Sequence, residues 1–419
     1  MIGNPKMKRA VDFFGLKRSI LGIMGMAILV GMGERMAERF LPVYVIALGA
    51  GAAIPGFLNG MDNLLGAFYS FPGGYLSDRL GAKKALLLFN LIAIFGFMIV
   101  ILVPTWPAVF VGSIFFLSWT AISLPATMDI VSKALPKNKR TMGVTMHSLV
   151  RRIPMALGPI AGGWCIDKWG IEHGVRIAFG FAIVFAVVAG TLQQVLIEET
   201  EDAKARAARK SSLSGNPIKL FLEIPAPLRK LLVSDILIRF CEQIPYAYMA
   251  IWCMGTIAHP LSGKQFGVLT AVEMATAMLV YVPVAYFADK GNKKPFVVTT
   301  FIFFTAFPLM LLVSKSYLLL ILAFIVRGLK EFGEPTRKAL IMDLAPEGKK
   351  AATFGLYYLV RDTVVSVSAF ASGLLWAISP ATNLLTAFAF GVAGTLWFAI
   401  LGSDKDIEKE QPTVSASAR

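Results

Sequence analysis

The chain has 419 residues, 56% of them hydrophobic and only 16% charged, and its mean hydropathy is +0.67. At about 20 mostly apolar residues per crossing this suffices for about a dozen membrane spans, while soluble domains carry roughly 25% charge. A soluble multidomain enzyme, a disordered chain and a disulfide scaffold are therefore excluded, and the net charge of +15 has to be explained by loops that face one side of a membrane.

The N-terminal stretch MIGNPKMKRAVDFFGLKR runs into apolar sequence with no small-residue cleavage site, so it reads as the lead into a retained first span. Apolar runs bounded by Pro, Gly or charge clusters predict spans at about 19–48, 52–76, 85–103, 106–131, 141–166 and 175–196, then at about 230–256, 265–288, 295–314, 316–345, 351–378 and 382–402. The expected class is an all-α membrane protein of twelve spans. It divides into a six-helix bundle over 1–197, a cytoplasmic linker over 198–229, a second bundle over 230–403 and a cytoplasmic tail over 404–419. Lys and Arg collect before span 1, after spans 2, 4, 8 and 10 and in the linker, whereas the odd-numbered connections are short and nearly uncharged. Both termini are thus expected in the cytoplasm, with the chain integral to an inner or plasma membrane. Basic residues spread over many loops without interleaved aromatics give no nucleic-acid interface.

Cys165, Cys241 and Cys253 lie in apolar runs without metal-ligand or redox spacing, and no phosphate loop, HExxH or GxSxG occurs. No cofactor or resident metal, and no enzymatic activity, is expected.

Offset against itself by about 210 residues, the chain brings Pro125 onto Pro335, Pro136 onto Pro346, Arg151 onto Arg361, Asp62 onto Glu273 and Asp78 onto Asp289. A duplicated six-helix unit follows, with the halves related by a pseudo-twofold axis. The run Gly74-x-Leu76-x-Asp78-Arg79-x-Gly81-x-Lys83 resembles the signature between helices 2 and 3 of the major facilitator superfamily, and Asp289-Lys290-Gly291-Asn292-Lys293-Lys294 resembles a shortened copy between helices 8 and 9. Ala82 stands where the pattern usually has a basic residue. The resemblance covers the whole chain and implies alternating access by rocking of two halves about a central site, in a protein that usually works as a monomer. It also implies gating roles for Gly74, Asp78, Arg79, Gly81 and Asp289, the acid being attracted to a positive helix end. In span 5, Gly158-Pro159-x-x-Gly162-Gly163 resembles the end of a motif of exporting, proton-exchanging members, although Thr145 and Pro154 replace expected glycines, and Gly158 and Pro159 are further candidate gating residues. Small residues at this spacing also serve close helix packing.

Several charges fall where lipid would be. Arg151 lies about 16 Å beyond Arg140 along a helix, near the midplane, and Arg361 matches it. Asp62 and Glu273 sit near the centres of spans 2 and 8. The family's packing of helix 2 on 11 and helix 5 on 8 implies the pairs Asp62–Arg361 and Glu273–Arg151, open to three roles: structural ion pairs, proton-coupling carboxylates at Asp62 and Glu273, or substrate ligands. Spans 1, 7 and 10, cavity-lining in the family, carry Glu34, Arg35, Glu38 and Arg39; Asp235, Arg239 and Glu242; and Arg327, Lys330, Glu331, Glu334, Arg337 and Lys338. Of these, Glu34, Arg35, Arg239, Glu242, Glu331 and Glu334, with Arg151 and Arg361, are the candidate substrate contacts. His147 is a candidate proton relay, Trp119, Tyr246, Tyr248 and Trp252 are candidate stacking surfaces, and Asp129 and Asp343 are candidate gate residues.

The expected activity is secondary transport of a small polar or charged molecule, with export in exchange for protons favoured. The alternatives are uptake or exchange of an organic anion held by Arg151, Arg152 and Arg361, a non-transporting membrane receptor, and a metal exporter using Glu34, Glu38, Asp62 and Glu273.

Overall fold

The computed structural model describes residues 18–117, 123, 140–196, 222–288, 292–346 and 350–403, and among them there are helices and no strand. In chain order the helices are α1 (Arg18–Glu38), α2 (Leu41–Ala47), α3 (Ile54–Leu80), α4 (Ala82–Leu102), α5 (Trp106–Phe116), α6 (Arg140–Leu196), α7 (Ala226–Tyr246) and α8 (Tyr248–Ile251). A π-helical turn, Trp252–Thr256, follows, and then α9 (Gly263–Ala288), α10 (Lys294–Val313), α11 (Tyr317–Leu329), α12 (Glu334–Leu344), α13 (Lys350–Ile378) and α14 (Pro380–Leu401).

Local sequence explains most boundaries. Pro42, Pro55, Pro107, Pro227, Pro295, Pro335 and Pro380 each sit in the opening turn of a helix, where the missing N–H costs nothing. Gly170, at φ 78°, divides α6 into spans 5 and 6, and Gly81, at φ 82°, turns the chain from α3 into α4. Only glycine adopts that backbone without strain. Three spans expected to be continuous are interrupted instead. Span 1 breaks before Pro42, span 7 continues past Tyr246 as α8 and a π turn, and span 10 divides into α11 and α12 around Lys330–Gly333. In the last case Pro335 removes an N–H and its ring would crowd the carbonyl of Glu331, so the α-helix cannot run through.

Among the described residues, five helical stretches are long and apolar enough to cross a membrane by themselves: Lys83–Leu102, Val150–Leu196, Lys294–Val313, Thr353–Ile378 and Pro380–Leu401. The helix α7 carries Arg229, Lys230, Asp235, Arg239 and Glu242 within its 21 residues and is not among them.

Across the halves, α3 packs on α13 and α6 packs on α9, while α1 lies along α6 and α7 along α14. The two seams between halves are built alike. At one, Gly56 meets the backbone of Gly373; at the other, Gly267 meets the backbone at Pro159 and Ile160, and Gly163 meets that of Gly263. Gly56 and Gly267 hold equivalent places in the duplicated halves, as do Gly163 and Gly373. One apolar core runs through both halves, with Phe40 edge-on to Phe266 at 5.8 Å; a second fills the C-terminal half around Leu228, Phe301, Leu340 and Phe398.

Candidate functional site

The inward charges of spans 7, 8, 10 and 11 form one connected network. Arg239 Nη1 lies 2.6 Å from Glu242 Oε2 and its Nη2 3.3 Å from Glu334 Oε2. Lys330 Nζ bridges Glu242, at 2.8 Å, and Glu273, at 3.3 Å, and Arg327 Nε is 2.9 Å from the same oxygen of Glu273. Arg337 donates to Glu334 at 2.6 Å and pairs with Asp235, which also accepts from the Tyr357 hydroxyl at 3.1 Å and from Arg361 at 3.4 Å. Asp235, Glu273, Arg327 and Arg337 are each no more than 2% exposed. Buried charges survive only when paired in this way.

The break in span 10 makes the network possible. Gly333 presses against the backbone of Phe296, and its N–H donates to the Thr300 hydroxyl. Lys330 reaches spans 7 and 8 from the interruption, and Glu334, in the first turn of α12, suits the positive end of that helix. Non-helical backbone at membrane depth is tolerated where it is buried in protein or lines a cavity.

Between the halves lies a cavity whose walls include Glu38, Arg39, Asn59, Asp62, Tyr246 and Phe266. Arg35 binds Glu38 at 2.6 Å. The Tyr246 ring lies between Arg39 of one half, 5.0 Å from its centroid, and Arg327 of the other, at 5.8 Å. Asp62 is half-buried in the wall, and among the described residues it has no ion pair within 4 Å. Arg152 crosses between halves to Glu331, at 3.0 Å. Asn59 and Asn63 likewise donate to the side-chain carbonyl of Gln243, each at 3.2 Å.

Two expected pairs are corrected by this geometry. Arg361 binds Asp235 and, at 2.7 Å, its neighbour Asp362, in place of Asp62; Glu273 is held by Arg327 and Lys330 in place of Arg151. The helices pack as expected, but Arg361 and Glu273 find partners in their own half, because span 7 brings Asp235 to Arg361 and the dense stripe on span 10 brings cations to Glu273. Asp235, Arg327, Lys330 and Arg337 were visible in the sequence as stripe members without a site role, and Tyr357 carried no signal at all. Glu34 is buried, and Arg151 is half-buried without an ion pair among the described residues. Glu34, Glu38, Asp62 and Glu273 do not gather into a metal site; among the described residues no group of three His, Cys, Asp or Glu could hold a metal ion.

The sequence profile of the Major Facilitator Superfamily matches residues 23–259 and 231–418. The chain belongs to the major facilitator superfamily. It is a membrane transporter of that superfamily and not an enzyme. An uncharacterised MFS-type transporter of Bacillus subtilis (strain 168) is 30% identical over 141 residues, covering 33% of this chain and 36% of that relative's length. One from Methanocaldococcus jannaschii is 20% identical over 361 residues, 84% of this chain and 87% of the relative. Among solved structures, the nucleoside transporter NupG superposes with a TM-score of 0.75 at 13% identity, over 91% of this chain and 100% of that one. A peptide transporter POT in complex with sulfate gives 0.74 at 15% identity, over 92% and 94%, and a D-xylose–proton symporter 0.69 at 13%, over 93% and 98%. At these identities the likeness is one of fold.

Within the superfamily signature, Gly81 makes the turn into α4 and Arg79 is exposed over the Tyr75 ring, 5.5 Å from its centroid. Gly74 and Asp78 lie within α3 with side chains outside the described set; Asp289, Trp119 and Asp129 lie outside the described residues, as do the His147 side chain, most of the linker and the tail. Asp343 pairs with Lys293. Gly158 and Gly162 of span 5 press on the backbone of Arg35 and Met36 in span 1, and Pro159 and Gly163 face span 8. Close packing therefore accounts for every small residue of that motif.

Proposed function

We propose that the protein is a secondary transporter that exports a small polar or charged solute in exchange for protons, its two halves rocking about the cavity at Asp62, with both termini in the cytoplasm. The observation that carries this reading is the contrast among the buried acids. Asp235, Glu242, Glu273 and Glu334 are each held by two or more cations, so their charge is already matched within the protein. Asp62 faces the cavity without such a partner, where either a proton or a cationic solute can reach its carboxylate. That is what an exchange of proton for solute requires.

The test is a thermal-stability screen in detergent against organic cations, anions and divalent metals, beside Asp62→Asn, followed by flux of any hit in proteoliposomes under an imposed pH gradient. Stabilisation raises the midpoint by mass action. The reading expects a hit whose flux follows the pH gradient and loses that dependence in Asp62→Asn; flux insensitive to the gradient overturns it. A second reading, uptake or exchange of an organic anion, is favoured by Arg151, which has no ion pair among the described residues. Anion stabilisation that vanishes in Arg151→Gln would replace the first reading with the second.

A further inference from the structure

We propose that Asp167 is a gate residue of the transport cycle, a latch that holds the halves together at the end of the bundle where the odd-numbered connections lie. The Asp167 carboxylate, at the end of span 5, accepts from the Gly263 N–H at 2.6 Å and from the Lys264 N–H at 3.0 Å. These are the first two amides of α9, in the other half. An α-helix leaves its first N–H groups without intrahelical partners, and a carboxylate there is further attracted by the positive end of the helix.

What separates this contact from an ordinary cap is that α9 already has one. The Ser262 hydroxyl accepts from the Gln265 N–H at 3.2 Å, and the Gln265 side chain accepts from the Ser262 N–H at 2.9 Å, a reciprocal capping box contained within one half. Asp167 therefore completes the helix end from across the seam, satisfying the two amides that the box leaves over. The backbones of Gly163 and Gly263 close up beside it, which places the carboxylate on the line of contact between halves. Asp167 is exposed, so when the seam parts, water replaces its bonds. This suits a contact that breaks and reforms in every cycle.

The pseudo-symmetric seam has a counterpart of different chemistry. The Tyr248 hydroxyl, from span 7, accepts from the Gly56 N–H at 3.1 Å in the first turn of α3 and donates to the Ala52 carbonyl at 2.8 Å. Tyr248 stacks on Trp376 at 4.4 Å, and that stacking holds it in place. At each seam, then, a side chain of one half completes the N-terminal turn of a seam helix in the other. The tyrosine is fixed by packing, whereas Asp167 contributes the only formal charge to these four bonds, and it sets the balance between closed and open.

The inference rests on rocking of the halves, and its test reads motion without needing the solute. Spin labels at Glu172→Cys and His259→Cys, both exposed and on opposite sides of the seam, report the separation by pulsed dipolar spectroscopy in liposomes. The Asp167→Ala protein should gain a longer-distance population, raised about 5-fold or more over the parent. Asp167→Asn, which keeps the volume and an acceptor oxygen, should lie between. Gln265→Ala breaks the capping box but no bond between halves and should match the parent. An unchanged distribution in both Asp167 variants, or an equal opening in Gln265→Ala, overturns the latch; absent solute flux with an intact response to Asp167→Ala counts against the proposed function instead.

Discussion

Asp62 and Glu273 occupy equivalent places in the duplicated halves, yet one faces a cavity and the other is locked between Arg327 and Lys330. Their variants should part accordingly. Glu273→Gln leaves two buried cations short of a counter-charge and is expected to cost about 3–5 kcal/mol, seen as a lowered melting midpoint, while the pH response of transport persists. Asp62→Asn should keep the midpoint and lose the pH response. The reverse pattern would move the coupling site to Glu273. The sequence marked both residues but could not separate them, because which cation reaches a carboxylate depends on the rotation of each helix about its axis, and hydropathy does not encode that rotation.

Span 5 shows what close helix packing demands of single elements. A Cβ on Gly162 would overlap the Met36 carbonyl of span 1, while a Cβ on Gly25, within α1, meets nothing within 4 Å. Gly162→Ala is therefore expected to destabilise by about 1–3 kcal/mol through overpacking. Gly25→Ala, which lowers the entropy of the unfolded chain at no steric cost, should be neutral or stabilising by about 0.4–1 kcal/mol. Thermal midpoints of the two variants decide the matter, and equal midpoints would refute the assignment of the motif to packing. The interruption of span 10 was foreshadowed by Gly333 and Pro335, but the span remained continuous in a reading by hydropathy alone, since apolar residues flank the break on both sides.

For the molecule as a whole, the helices, their cross-half packing and the duplication were legible because each follows from quantities a sequence carries directly: apolar run length, breaker residues and repeated spacing. The ion pairs were not. Arg361 and Glu273 were assigned partners across the seam by symmetry, and the structure pairs them within one half, where the stripe on span 10 meets Asp235, Glu242 and Glu273. The duplicated halves have thus diverged in charge while keeping their seams: Gly56 and Gly267 still meet backbone across the interface, but the C-terminal half holds a dense ionic core. We expect that half to behave as the stiffer body, with the slower amide exchange in α7 and α11–α12 than in α1; faster exchange there would contradict it.

The same ionic core sets a problem of timing during synthesis. Asp235 and Glu242 emerge from the ribosome about 90–100 residues ahead of Arg337 and Lys330, an interval of about 4–20 s at 5–20 residues per second. Throughout it, span 7 offers the bilayer two acids with Arg239 as their one nearby counter-charge on the span, at about 2.5–3.5 kcal/mol for an acid at the centre of a helix. Span 7 is therefore expected to wait beside the translocation machinery until span 10 arrives, and a chain halted after Ala288 should leave it open to protease where one extended through Leu401 does not.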